Sequence, residues 1–132
     1  MLTDCTPMKV TYPAEKTVSV WVGTFRSEDD FDRCVDRSVT PALSLDIDIA
    51  SFCEVGYEGE LRTVWELLDG FSGSDTFIES AVSAAAFRGV TAANSALVCY
   101  YLRCSDAPDD WGGLRFLGSF SGDRILYDTN VG

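Results

Sequence analysis

The chain has 132 residues, 46% of them hydrophobic, and carries 21 acidic against 10 basic side chains, a net charge of −11 with no histidine. That length holds one domain with a sizeable core rather than two. The charge argues against nucleic acid and an anionic membrane surface as partners, since both ask for lysine and arginine. It favours a basic partner or plain solubility.

Residues 1–16 hold Pro7 and Pro13 without clear periodicity, and read as a loose arm or an edge segment. From Thr17 to Phe25 the pattern has period two: Val18, Val20 and Val22 point one way, Ser19 and Trp21 the other, which predicts a strand. Ser27 then caps a helix expected over Glu28 to Arg37, with Phe31, Cys34 and Val35 as its buried stripe. Glu28, Asp29 and Asp30 fill its first turn, where negative charge meets the positive end of the helix dipole. In residues 38–57, Leu43, Leu45, Ile47 and Ile49 alternate with polar or small residues, which suggests a strand. Pro41 could equally open a short helix, and both readings stand.

Glu60 to Asp69 predicts a helix, with Leu61, Val64, Trp65 and Leu68 at i, i+3, i+4 and i+7 and Gly70 as its stop. Ser74 is the expected cap of a third helix, Asp75 to Arg88, which buries Ile78, Ala81, Val82 and Ala85. Ser95 to Cys104 is apolar on both faces and reads as a central strand. A loop from Ser105 to Gly113, a strand from Leu114 to Phe120 and a short final strand from Arg124 to Tyr127 complete the chain. The expected fold is a single α/β (α+β) domain over residues 1–132, with an antiparallel or mixed sheet and about three helices mainly on one face.

The charge is uneven. Residues 1–26 carry a net charge of +1, whereas residues 27–60 hold ten acids against Arg33 and Arg37, a net charge of −8. Solubility does not require such clustering, so the asymmetry points to a partner. The five cysteines form no C-x-x-C pair, which gives neither a disulfide framework nor a zinc site and leaves buried thiols as the default. There is no basic region followed by an apolar run at the N-terminus and no apolar stretch near the ~20 residues a membrane span needs. A reducing cytoplasm is the expected compartment.

Catalytic machinery is not legible. The missing imidazole removes Ser-His-Asp, Cys-His and histidine-metal arrangements. Cys34 beside Arg33 and Cys104 beside Arg103 are better read as incidental neighbours than as activated nucleophiles. Asp46 and Asp48 could share one strand face, but a solvated acidic face outweighs a metal site there, because no calcium-loop spacing surrounds them. No catalytic residue, metal ligand or cofactor is expected. Trp111, in the polar loop Asp109-Asp110-Trp111-Gly112-Gly113, is a candidate interface anchor; the alternative is that it folds back over the sheet edge.

Three blocks carry a family resemblance. Val18-Ser19-Val20-Trp21-Val22-Gly23-Thr24-Phe25, followed by Ser27-Glu28-Asp29-Asp30-Phe31, resembles the opening strand and acidic helix of the immunity protein 22 family of bacterial polymorphic toxin systems. Asn94-Ser95-Ala96-Leu97-Val98-Cys99-Tyr100 is similar to that family's Asn-Ala-aliphatic strand, and Phe116-Leu117-Gly118-Ser119-Phe120 to its closing strand. The blocks keep the family's order and span most of the chain. Residues 38–60 depart from it, with Leu45-Asp46-Ile47-Asp48-Ile49 where members have an aromatic and acidic stretch. The resemblance implies a cytoplasmic immunity protein that binds and neutralises a cognate toxin and performs no chemistry.

Many such toxins are nucleases with basic clefts, which an acidic protein can cover, gaining on-rate by electrostatic steering. The expected contact residues are Glu28, Asp29, Asp32, Asp36, Asp46, Asp48, Glu54 and Glu58, with Trp111 as an anchor. Two alternatives stand beside this reading: an acidic interaction or regulatory module without a toxin partner, and a carboxylate- and metal-dependent enzyme.

Overall fold

A computed structural model of the chain describes residues 9–36, 53–105 and 110–122. In chain order these form β1 (Lys9–Thr11), β2 (Thr17–Gly23), α1 (Glu28–Cys34), β3 (Cys53–Thr63), α2 (Val64–Leu68), a 3-10 turn (Ser74–Thr76), α3 (Ile78–Phe87), β4 (Ala92–Tyr100), β5 (Arg103–Ser105), β6 (Asp110–Trp111) and β7 (Leu114–Ser121). The architecture is a single α+β domain. Five strands form one sheet in the order β3-β4-β2-β7-β6, while β1 and β5 form a two-stranded ribbon. Every pairing is antiparallel. Of the two readings of the N-terminal segment, the edge one describes residues 9–11, which pair with β5.

The alternation in β2 sorts its side chains onto two cores. Val18, Val20 and Val22 join a cluster with Val64, Leu67 and Leu68 of α2 and with Ile78, Ala81 and Ala85 of α3. Trp21 joins a second cluster with Phe31 and Cys34 of α1, Leu97 and Cys99 of β4, and Leu102, Cys104 and Leu114. Two helices thus cover one face and α1 covers the other. All seven residues of β2 are buried; each large apolar side chain among them stabilises the fold by about 1.5–3 kcal/mol. Ser19, polar and buried, has partners: its Oγ lies 2.6 Å from the Leu102 carbonyl and 2.7 Å from Ser119 Oγ, which accepts from the Cys104 N–H at 3.0 Å. This knot ties the ribbon to the main sheet without an unsatisfied polar group.

Two of the expected helices start elsewhere. Glu60 to Asp69 is not one helix. Arg62 and Thr63 still pair with Ala93 and Ala92, so β3 runs to Thr63 past an irregularity after Tyr57. The helix begins at Val64, fixed by a capping box: Thr63 Oγ1 accepts from the Glu66 N–H at 3.1 Å, and the Glu66 carboxylate accepts from the Thr63 N–H at 3.0 Å. Its buried stripe is therefore Val64, Leu67 and Leu68, continued by Phe71, while Leu61 and Trp65 are 62% and 46% exposed. Nor does Ser74 cap α3. Its hydroxyl donates to the Asp69 carbonyl, and α3 starts at Ile78 without a side-chain cap.

The first helix agrees with its expected cap, Ser27 Oγ accepting from the Asp30 N–H at 3.1 Å. It ends sooner than expected, at Cys34, with Val35 and Asp36 in a wider turn. The single strand read over Ser95 to Cys104 is two: Tyr101, at φ 61°, breaks the chain between β4 and β5. The loop read over Ser105 to Gly113 contains β6, paired with the start of β7. The alternatives for residues 38–52 and the final strand at Arg124 to Tyr127 lie outside the described residues.

Candidate functional site

The nominated acids fall into two groups that both border β3, the outer strand of the main sheet among the described residues. The first group is on α1. Phe31 anchors this helix beneath β3, its ring stacked on Tyr57 with centroids 6.3 Å apart, and Phe25 leans on Phe31 at 5.5 Å. Once Phe31 and Cys34 face inward, the helical period leaves Glu28, Asp29 and Asp32 outside, and Asp36 is exposed just beyond the last turn. Arg33 offsets part of this charge, 3.4 Å from Asp29 and 3.5 Å from Asp30. These are solvent-exposed pairs of little energetic weight. Among the described residues, Glu28, Asp32 and Asp36 make no ion pair.

The second group faces the other side of the sheet. Alternation along β3 places Cys53 and Tyr57 with α1, and Glu54, Gly56 and Glu58 with α2. Glu54, Val55, Gly56, Glu58, Glu66, Leu67, Gly70 and Phe71 line an open groove of about 310 Å³. The two acid groups therefore lie on opposite faces of the sheet and meet only along the β3 edge.

Within the second group the roles diverge. Glu54 is an internal clamp: its carboxylate accepts from the Ser72 N–H at 3.1 Å, from the Ser72 hydroxyl, and from the Tyr100 hydroxyl at 3.3 Å. Tyr100 also donates to the Ser72 carbonyl at 2.7 Å. That set fixes the segment after α2 to β3 and β4. Glu58 is exposed and lies 3.8 Å from Arg62, which also holds Glu60 at 3.2 Å. Asp46 and Asp48 lie outside the described residues. Trp111 ends β6; its side chain lies outside what the structure describes.

Composition and spacing pass over two features of this edge. One is apolar exposure: Val55, Leu61 and Trp65 are 53%, 62% and 46% exposed on β3 and at the start of α2. The Thr63-x-x-Glu66 capping signature is the sequence signal that turns Trp65 outward. The other is Asn94, 3% exposed. Its Oδ1 accepts from the Phe25 N–H at 3.0 Å, and its Nδ2 donates to the Phe25 carbonyl at 2.8 Å and the Gly59 carbonyl at 3.4 Å. It thereby positions the entry to α1 against the bend in β3.

Among the described residues, no group of three or more Cys, Asp or Glu side chains is arranged to hold a metal ion, and no helix is long and apolar enough to cross a membrane. No family model, no curated protein and no solved structure matches the chain.

Proposed function

We propose that the protein is a binding inhibitor of the immunity type, which neutralises a cognate toxin domain by docking the β3 edge of its sheet against a basic surface. The observation that carries this reading is the make-up of that edge: Val55, Leu61 and Trp65 are exposed on an outer strand and the helix that follows it, and acidic side chains of α1 and of the α2 groove flank the strand on either face. An aromatic and aliphatic centre with a charged border is the usual anatomy of a protein-binding surface. The three blocks that resemble the immunity protein 22 family support the same reading. The border charges set encounter rate and partner choice, while the apolar centre supplies affinity. No bond is made or broken.

Co-expression with the toxin domain encoded beside it tests the proposal. The protein should restore growth and co-purify with the toxin. Trp65→Ala should weaken the complex by about 2 kcal/mol or more, roughly 30-fold in Kd, if Trp65 is an anchor. Survival without co-purification, or no survival with wild-type protein, would remove the reading.

A further inference from the structure

The second core holds four of the five cysteines: Cys34, Cys99 and Cys104 are buried, and Cys53 is half-buried at its rim. None of the four is joined to another of them by a disulfide. Cys53 and Cys99 are more than neighbours in a cluster. They stand directly opposite one another in the β3–β4 ladder, so their side chains leave the sheet on the same face. Residues so paired have Cα atoms about 4.5–5.5 Å apart, inside the roughly 4.4–6.8 Å range that a disulfide spans. We propose that Cys53 and Cys99 form a reversible thiol–disulfide site, oxidised by hydrogen peroxide, that staples the outer strand β3 to its neighbour β4.

The two thiols have different parts in the reaction. Cys53, the one with access to solvent, meets the oxidant. Its thiolate attacks one oxygen of the peroxide and the O–O bond breaks. Sulfur is oxidised to a sulfenic acid, and the displaced hydroxide takes up the thiol proton and leaves as water. Cys99 then attacks the sulfenic sulfur. The S–S bond forms, the S–O bond breaks, and the departing hydroxide carries off the Cys99 proton as a second water. Two thiols and one hydrogen peroxide give one disulfide and two waters.

The register selects Cys99 over the other thiols as the resolving partner. Cys104 lies on β5, which pairs with β1 and not with β3. Burial pushes the Cys99 thiol well above its ordinary 9.0, with the Cys53 thiol adding to the shift; burial likewise pushes Cys104 up to about 11. Both buried thiols are thus poor at meeting an oxidant themselves. Closure also draws the strands together, since Cβ atoms of an opposed pair sit about 4.5–5.5 Å apart and a disulfide prefers about 3.8 Å.

Hydrogen peroxide applied to the folded, fully reduced chain, followed by non-reducing peptide mass spectrometry, tests this. The expected result is the loss of two hydrogens, a linked pair of peptides containing Cys53 and Cys99, and reversal by dithiothreitol. Cys104→Ser should retain the link and Cys53→Ser should abolish it. Stable over-oxidation of Cys53 without a link in wild-type protein would overturn the proposal. So would a link from Cys53 to Cys104 or Cys34. The wild-type measurement stands even if a variant fails to fold.

Discussion

Asn94 uses both ends of its amide on the backbone of Phe25, a residue far away in sequence. The ring of Phe25 in turn lies over a place where the end of β2 nearly touches the turn between β6 and β7. A Cβ on Gly23 would stand 2.5 Å from the Gly113 carbonyl oxygen and 2.8 Å from the Phe25 ring, so no side chain fits there. Gly118 repeats the device. Its φ of +144° disfavours an L side chain, and a Cβ would stand 2.9 Å from the ring of Phe120, two residues on. The G-x-F pattern of the first and third blocks thus marks two places where an aromatic ring folds over a bare backbone. Replacing Asn94 by Ala removes the side-chain partner of the part-buried Phe25 N–H and leaves the Phe25 carbonyl with the Tyr57 hydroxyl at 3.5 Å. The expected cost is about 3 kcal/mol, read from urea unfolding; a loss below about 0.5 kcal/mol would show that Phe25 is held by its ring alone.

At the scale of elements, the residues that decided structure were those whose pattern admitted one answer. Along β2, Val-Ser-Val-Trp-Val has period two and nothing competes with it, and the strand forms as expected. Between Leu61 and Phe71 two helical stripes are available, Leu61-Val64-Trp65-Leu68 and Val64-Leu67-Leu68-Phe71. Ladder pairing of Arg62 and Thr63 with β4 removes the first. Periodicity alone does not register that competition, whereas the Thr63–Glu66 capping signature does.

This box also gives α2 a pH dependence. The Thr63 backbone N–H, then its hydroxyl, hold the Glu66 carboxyl below its ordinary 4.5. Folding therefore favours the ionised form. The contribution is complete above 4.5 and is lost as pH falls through the lower folded value. Hydrogen exchange, corrected for its intrinsic pH dependence, should show protection of Val64–Leu68 weakening over that range in wild-type protein. Glu66→Gln, which can still accept from the Thr63 N–H but cannot ionise, should flatten the response; an equally steep response in that variant would mean that Glu66 is not the group that sets it.

For the whole molecule, the strand parts of the three sequence blocks behind the family resemblance fall on β2, β4 and β7, adjacent strands of the main sheet. They describe the interior and the bends that shape it. The charged block that begins at Ser27 describes a surface, and its members do not stay together. α1 takes Glu28, Asp29, Asp32 and Asp36 to one face, while β3 takes Glu54 and Glu58 to the other. Charge clustering along a chain says nothing about the side of a sheet on which each acid emerges, because a strand sends successive residues to opposite faces. For the same reason composition could not tell Glu54, an internal clamp, from Glu28, an open carboxylate.

The proposed binding role has the open acids of α1 steer a basic toxin onto the β3 edge. Its most direct test is the association rate of the protein with the purified toxin domain, measured across ionic strength for wild-type protein and for E28K/D29K/D32K/D36K. Ser27 and Asp30 are kept so that the cap of α1 survives. Wild-type association should be fast at low salt and fall steeply as salt rises, while the reversed protein should bind about 10-fold or more slowly with a flatter salt dependence. Equal rates and equal salt slopes for the two proteins would contradict the claim.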